Sequence, residues 1–170
     1  AVITGAGRGL GRAYALLLDE KGAKVLVNDL GARIKGDGAD VSVAQKVVDE
    51  IRTAGGEALA NGDSVATLEG GQAIVQAALD AWGKVDILIH NAGNFRYGTI
   101  RDISYEDFKA VVDVHLMGAF HMVKAVHPLM CDAGYGRIVL TSSIGGIYGN
   151  NRCVNYGASK SGMIGLSNVA

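Results

Sequence analysis

Short apolar runs alternate along the chain with longer stretches of helical periodicity. Val2-Ile3, residues 24–29 (Lys-Val-Leu-Val-Asn-Asp), 57–61, 85–89 (Val-Asp-Ile-Leu-Ile) and 137–140 have the length and aliphatic character of buried strands. A helix follows the first run, with Ala13, Leu16 and Leu17 on its apolar stripe and Gly22 at its end. Further helices are predicted over residues 41–54 and 68–82, and a long one from Ser104 to about Ala133. In the last, Phe108, Val111, Val112, Val114, Leu116 and Met117 are nearly continuous, which predicts a mostly buried helix. A final helix starts near Tyr156, after a loop over residues 144–155. Strands alternating with helices predict a parallel sheet with helices on both faces. In such folds the ligand sits at the carboxyl ends of the strands, at the switch point of the topology.

Composition narrows the function classes. A length of 170 residues suits one domain, 1–170, with a real core, and 49% hydrophobic residues argue against disorder. The formal net charge of −1 implies neither a nucleic-acid partner nor an anionic membrane surface. No run approaches the ~20 apolar residues of a membrane span. The 25 glycines are about twice the usual ~7% and cluster in a few loops, while Pro128 is the one proline. Cys131 and Cys153 and the four scattered histidines lack metal-like spacing, so no metal is expected. Free thiols suit a reducing compartment such as the cytoplasm. The chain begins at Ala1 inside a strand and ends at Ala170 inside a helix, with Ile164, Leu166 and Val169 still in an apolar pattern. The expectation is a domain truncated at both ends and lacking its C-terminal strands.

The glycines of the first loop have a specific physical use. Val2-Ile3 runs into Thr4-Gly-Ala-Gly-Arg-Gly-Leu-Gly11 and then a helix, the context a nucleotide-binding turn requires. Gly5, Gly9 and Gly11 let the backbone turn tightly and approach a pyrophosphate, and Arg8 and Leu10 complete the loop. The helix N-terminus adds free N–H groups and a positive dipole end. Asp29 ends the second strand about twenty residues on, where a carboxylate accepts hydrogen bonds from the adenosine ribose and repels a 2′-phosphate. That favours NAD over NADP; Arg8 and Arg33 pull the other way, and a turn cap is the plainer role for Asp29. Asp63, after the third strand, faces the adenine edge or simply holds a turn. Asn91, Ala92 and Gly93 follow the fourth strand, small enough for a cofactor to lie flat across the sheet edge, with Asn91 free to bond the backbone.

Tyr156-Gly-Ala-Ser-Lys160 carries the candidate chemistry. At the start of a helix, i and i+4 share one face, and an ammonium beside a phenol favours the phenolate. A tyrosine so tuned passes a proton to or from an alcohol near neutral pH. Ser143, thirteen residues upstream, follows the strand Ile138-Val139-Leu140 and would hold the substrate oxygen. The spacing alone is weak, because Tyr105 and Lys109 share it: there Ser104 and Asp107 form a cap in the first turn of a surface helix. Convergence of the glycine loop, Asn91, Ser143 and Tyr156 at strand ends supplies the independent support. His121 and His127 are expected to be ordinary core or surface histidines.

With these residues in place the chain resembles the short-chain dehydrogenase/reductase family, through Thr4-Gly-x-x-x-Gly-x-Gly11, Asn91-Ala-Gly93, Ser143 and Tyr156-x-x-x-Lys160. The resemblance implies a Rossmann-type doubly wound α/β fold and an enzyme interconverting a secondary alcohol and a ketone with NAD. It further implies Tyr156 as acid/base, Ser143 orienting the carbonyl, Lys160 on the nicotinamide ribose, and a homodimer or homotetramer. Most of the family has Asn where this chain has His115, a residue that helps hold a proton-relay water partly through its main chain. His90 likewise replaces a common Asn. A narrower likeness, in Val27-Asn-Asp-Leu-Gly31, Val114-His-Leu-Met-Gly118 and Gly146-Ile-Tyr-Gly-Asn150, is to (3R)-hydroxyacyl-CoA dehydrogenase domains of peroxisomal multifunctional β-oxidation enzymes, which also appear among 17β-hydroxysteroid dehydrogenases. It implies an acyl-CoA or hydroxysteroid substrate and a peroxisomal setting. The rival class is a catalytically silent nucleotide-binding module or redox sensor; the joint presence of Ser143, Tyr156 and Lys160 argues against it.

Overall fold

The computed structural model describes residues 1–170. Strands β1 (Val2–Thr4), β2 (Val25–Asn28), β3 (Ala58–Asn61), β4 (Ile87–His90) and β5 (Arg137–Leu140) form one parallel sheet in the order β3-β2-β1-β4-β5. The helices are α1 (Gly9–Glu20), α2 (Ser42–Thr53), α3 (Leu68–Trp82), α4 (Tyr105–Val112), α5 (Gly118–Asp132), α6 (Ile144–Ile147) and α7 (Val154–Val169). The chain turns outward from β1 in both directions, so the switch point lies between β1 and β4. In register, Thr4 stands beside Asn28 and His90, and His90 beside Leu140, which brings the carboxyl ends of the strands to one edge.

Two apolar layers sandwich the sheet. On one face Ile3, Val25, Val27 and Ile89 pack with Ala15 of α1 and Ala44, Val47, Val48 and Ile51 of α2. On the other, Val2, Leu26 and Leu88 pack with Ile74, Val75 and Ala78 of α3 and Met122, Val123, Val126 and Met130 of α5. Each fully buried Val, Leu or Ile contributes roughly 1.5–3 kcal/mol. Alternation along a central strand divides its side chains between the layers, so both faces must be apolar and the strands show no polar alternation.

Several sequence expectations shift. Helix α1 turns Gly11 and Ala15 inward while Ala13 and Leu17 face solvent, because the sheet admits only the smallest residues at closest approach. The long helix divides: α4 buries only Val111, residues Asp113–Met117 form a π-helical turn, and the well-buried part is α5. The expected loop over residues 144–155 contains α6, capped by Ser143. Ser104 caps α4, its Oγ accepting from Asp107 N at 3.0 Å. No helix is long and apolar enough to cross a membrane.

Candidate active site

The glycine turn after β1 is built for close approach. Gly5 and Gly9 have positive φ of 63° and 52°, a region that costs a side chain steric energy. A Cβ on Gly11 would lie 2.1 Å from the Gly5 carbonyl oxygen, so α1 can start this near the sheet only with glycine there. The carboxylate of Asp29 braces the turn: Oδ2 accepts from Gly7 N at 2.8 Å and Oδ1 from Gly31 N at 2.7 Å. Asn91 Nδ2 donates to Gly5 O at 3.1 Å, linking β4 to the same turn.

Thr4 fixes the junction of β1 and β4. Its Oγ accepts from Asn91 N and Ala92 N, both at 3.1 Å, so its own proton is directed to His90 Nδ1 at 3.1 Å. His90 therefore carries its proton on Nε2 and donates to the His115 carbonyl in the π-helical turn, at 3.2 Å. Burial, reinforced by the nearby Lys160 charge, pushes the His90 pKa down to about 3. The cleft above these residues has about 270 Å³ of room. Gly5, Arg8, Asp29, Asp63, Asn91, Ala92 and Gly93 all line it.

Ser143, Tyr156 and Lys160 gather just past β5. Ser143 Oγ accepts from Gly145 N at 3.1 Å, which leaves its hydroxyl proton free to donate. The Cα of Gly145 lies between the two side chains: an ideal Cβ built on it would sit in ordinary contact, 3.5 Å from both Ser143 Oγ and the Tyr156 ring. Tyr156 lies in the first turn of α7, its ring stacked on Phe95 with centroids 4.5 Å apart. One turn on, the Lys160 ammonium lies 5.6 Å from the Tyr156 ring centroid and donates to the Thr141 carbonyl. Lys160 is buried, and loss of water lowers its pKa to about 8. The His115 and Tyr156 rings stand nearly perpendicular, with centroids 5.2 Å apart. Burial, reinforced by Lys160, lowers the His115 pKa to about 4, which keeps the imidazole neutral. Its Nδ1 is buried without a hydrogen-bond partner.

The control pair behaves differently. Tyr105 is exposed, and Lys109 is bound to Asp113 at 2.5 Å on the surface. Of the two arginines expected to compete for a 2′-phosphate, Arg8 donates to Ala32 O at 3.2 Å and Arg33 pairs with Asp37 at 3.7 Å. Asp63 is exposed and tied to Asn61 Nδ2 at 2.8 Å, a turn role that still leaves it on the cleft. Leu10 projects into solvent from the first turn of α1. His121 is a core residue bonded to the Val65 carbonyl. Sequence reasoning missed Phe95, Arg96, Asn155 and Ser142. Asn155 donates to the Arg96 and Asp107 carbonyls at 2.9 and 3.1 Å, and Ser142 Oγ donates to Lys160 O at 2.9 Å. None has a spacing signature, because each acts on a partner distant in sequence.

The strand order and the cleft at the switch point are those of a Rossmann-type dinucleotide-binding domain. The profile of the family described as short chain dehydrogenase matches residues 1–170, and the chain belongs to that family. Peroxisomal multifunctional enzyme type 2 of Drosophila melanogaster is 53% identical over 169 residues, 99% of this chain and 28% of that protein. A short chain dehydrogenase structure from Mycobacterium avium superposes with a TM-score of 0.89 at 41% identity, covering 99% of this chain and 60% of that one. A metagenomic short-chain oxidoreductase solved in complex with NADP also gives 0.89, at 31% identity, covering 99% and 73%. The chain thus spans less than two thirds of the length of the Drosophila and M. avium relatives.

Proposed function

We propose that this domain carries out alcohol–ketone redox chemistry with NAD, and that Tyr156 is its acid/base. The observation that carries the reading is the gathering of a free hydroxyl donor, a phenol and a buried ammonium at Ser143, Tyr156 and Lys160, outside the cleft lining but joined to it where Tyr156 stacks on Phe95, the neighbour of Asn94 in the cleft wall. The residues present fit a dinucleotide. Gly5 and Gly11 let the turn and α1 pack tightly against the sheet edge, and the first turn of α1 offers its N–H groups to phosphates. Asn91 and Gly93 line the cleft, and Lys160, one helical turn from Tyr156, is the residue we assign to the nicotinamide ribose. When bound, the nicotinamide supplies the hydride acceptor.

In oxidation Ser143 donates to the substrate oxygen and fixes its place, and Tyr156 takes the hydroxyl proton. The Lys160 cation offsets the phenolate charge that Tyr156 carries before it takes that proton. In reduction the proton returns from Tyr156 to the carbonyl oxygen. His115 stays neutral beside the Tyr156 ring, and the part we assign it is support of a proton relay rather than acid/base work. The preference for NAD rests on Asp29, whose carboxylate lines the cleft and would repel a 2′-phosphate, against Arg8 and Arg33 in the same lining. The substrate class we favour is a 3-hydroxyacyl thioester such as an acyl-CoA, ahead of a hydroxysteroid, with assembly as a dimer or tetramer. NADH-linked turnover of Tyr156→Phe tests the reading. A fall of about 10²–10⁴-fold or more is expected, with NADH binding kept and Tyr105→Phe close to the parent. Turnover of Tyr156→Phe near the parent value refutes it.

A further inference from the structure

We propose that residues 29–40 are a strap across the cofactor cleft, latched by Arg96, which acts as a positioning residue controlling cofactor release. The inference rests on the cofactor reading above and deepens it. The segment leaves the end of β2 and returns to α2. Its two legs touch at the base: Asp40 N donates to Leu30 O at 2.9 Å, and a Cβ on Gly31 would lie 2.0 Å from Asp40 O. Between the legs the backbone turns on itself, Gly36 N donating to Arg33 O at 2.8 Å. The far side of the strap reaches past β1 to the segment that follows β4. There Phe95 N donates to Ile34 O at 2.8 Å and Arg96 Nε to Lys35 O at 3.0 Å. Gly36, at φ +87°, passes so near Asn94 that a Cβ would come within 2.7 Å of its Nδ2.

Sheet order gives these bonds their consequence. A span from β2 to the residues after β4 must cross the carboxyl end of β1, where the glycine turn lies. Ala32, Ile34 and Gly36 wall the cleft on the strap side, and Asn91, Gly93 and Asn94 wall it on the other. A dinucleotide in the cleft lies under the strap and leaves when the bonds to Ile34 O and Lys35 O break. Arg96 is held for its task. Its Nη1 donates to Asp107 in the first turn of α4 at 2.8 Å, which fixes the guanidinium plane and holds the Asp107 carboxyl below its usual range. Arg96 makes the two bonds from different nitrogens of a rigid fork; a lysine offers its three donors from one point and lacks that fork. The same short segment seats the proposed acid/base: Asn155, next to Tyr156, donates to Arg96 O, and the Phe95 ring stacks on Tyr156. Closing the strap and seating the tyrosine thus depend on residues 94–96 together.

Stopped-flow displacement of NADH from the protein as it is encoded, followed by fluorescence, tests the latch. Arg96→Met removes one charge-assisted bond to the strap, and koff is expected to rise about three- to tenfold. Arg96→Lys keeps a cation for Asp107, so its melting temperature stays near the parent while koff still rises. Gly36→Ala disturbs the strap with Arg96 intact and also raises koff. Combining Gly36→Ala with Arg96→Met adds little, because both open one element. Unchanged koff in both Arg96→Met and Gly36→Ala, even with a lowered melting temperature, overturns the latch and leaves the cofactor reading standing. A parent that binds no NADH overturns the cofactor reading, and the latch with it.

Discussion

Acid should weaken this fold through His90, and the size of the effect follows from its surroundings. The imidazole is fully buried, accepts from the Thr4 hydroxyl and donates to the His115 carbonyl. A second proton on Nδ1 would face a hydroxyl whose own proton is already committed there. Its pKa therefore lies at about 3 in the fold, against the ordinary 6.5. With the native value depressed, the unfolded chain binds more protons at any pH between the two. The stability His90 contributes is complete above pH 6.5 and is lost as pH falls toward 3. Going from pH 7 to pH 5, the unfolded histidine becomes protonated while the native one does not, a linkage cost of about 2 kcal/mol. For a chain this long that is a drop in melting temperature of roughly 4–8 °C. His115, lowered to about 4, adds a loss of the same sign. The assay is thermal and urea unfolding of the parent and His90→Asn at pH 7 and pH 5. The variant starts from its own stability at pH 7 but loses about 2 kcal/mol less on acidification, since contributions from carboxylates and His115 are common to both. Parallel pH profiles for the two proteins would refute the argument that His90 is held neutral by this network.

Asp29→Ala frees the Gly7 and Gly31 N–H groups, so it should cost about 1–3 kcal/mol in urea unfolding. It should also narrow the gap between NADH and NADPH dissociation constants. A parent that binds NADPH more tightly than NADH would reverse the proposed preference. Gly11→Ala places a Cβ 2.1 Å from Gly5 O and 2.7 Å from Asn91 Nδ2. It should destabilise by about 1–3 kcal/mol or more and abolish NADH binding measured by fluorescence titration. Gly165→Ala in α7 meets open space and serves as the opposite control, expected to be neutral or stabilising by up to about 1 kcal/mol.

The sequence by itself determined the alternation of strands and helices and the two layers that follow from it. A strand such as Val25–Asn28, apolar on successive positions, has only a doubly covered parallel sheet in which to bury both faces. It also determined the glycine turn and the Tyr156–Lys160 pair, because these chemistries lie within one turn or one helical repeat, where spacing is geometry. Tertiary structure decided everything that depends on which distant backbone atom a side chain meets. His90 could be read as a departure from a common Asn, but its bonds to Thr4 and to the His115 carbonyl span 86 and 25 residues. The segment after Asp29 is polar and glycine-containing, which marks a loop but not its course; only the sheet order β2-β1-β4 carries it across the cleft. Arg96 had no motif at all. Its partners are the Lys35 carbonyl, 61 residues away, and Asp107, 11 residues away. A backbone carbonyl leaves no mark in the amino-acid sequence, since every residue has one. Hydrogen bonds to the main chain are therefore invisible until the fold chooses which carbonyls stand where.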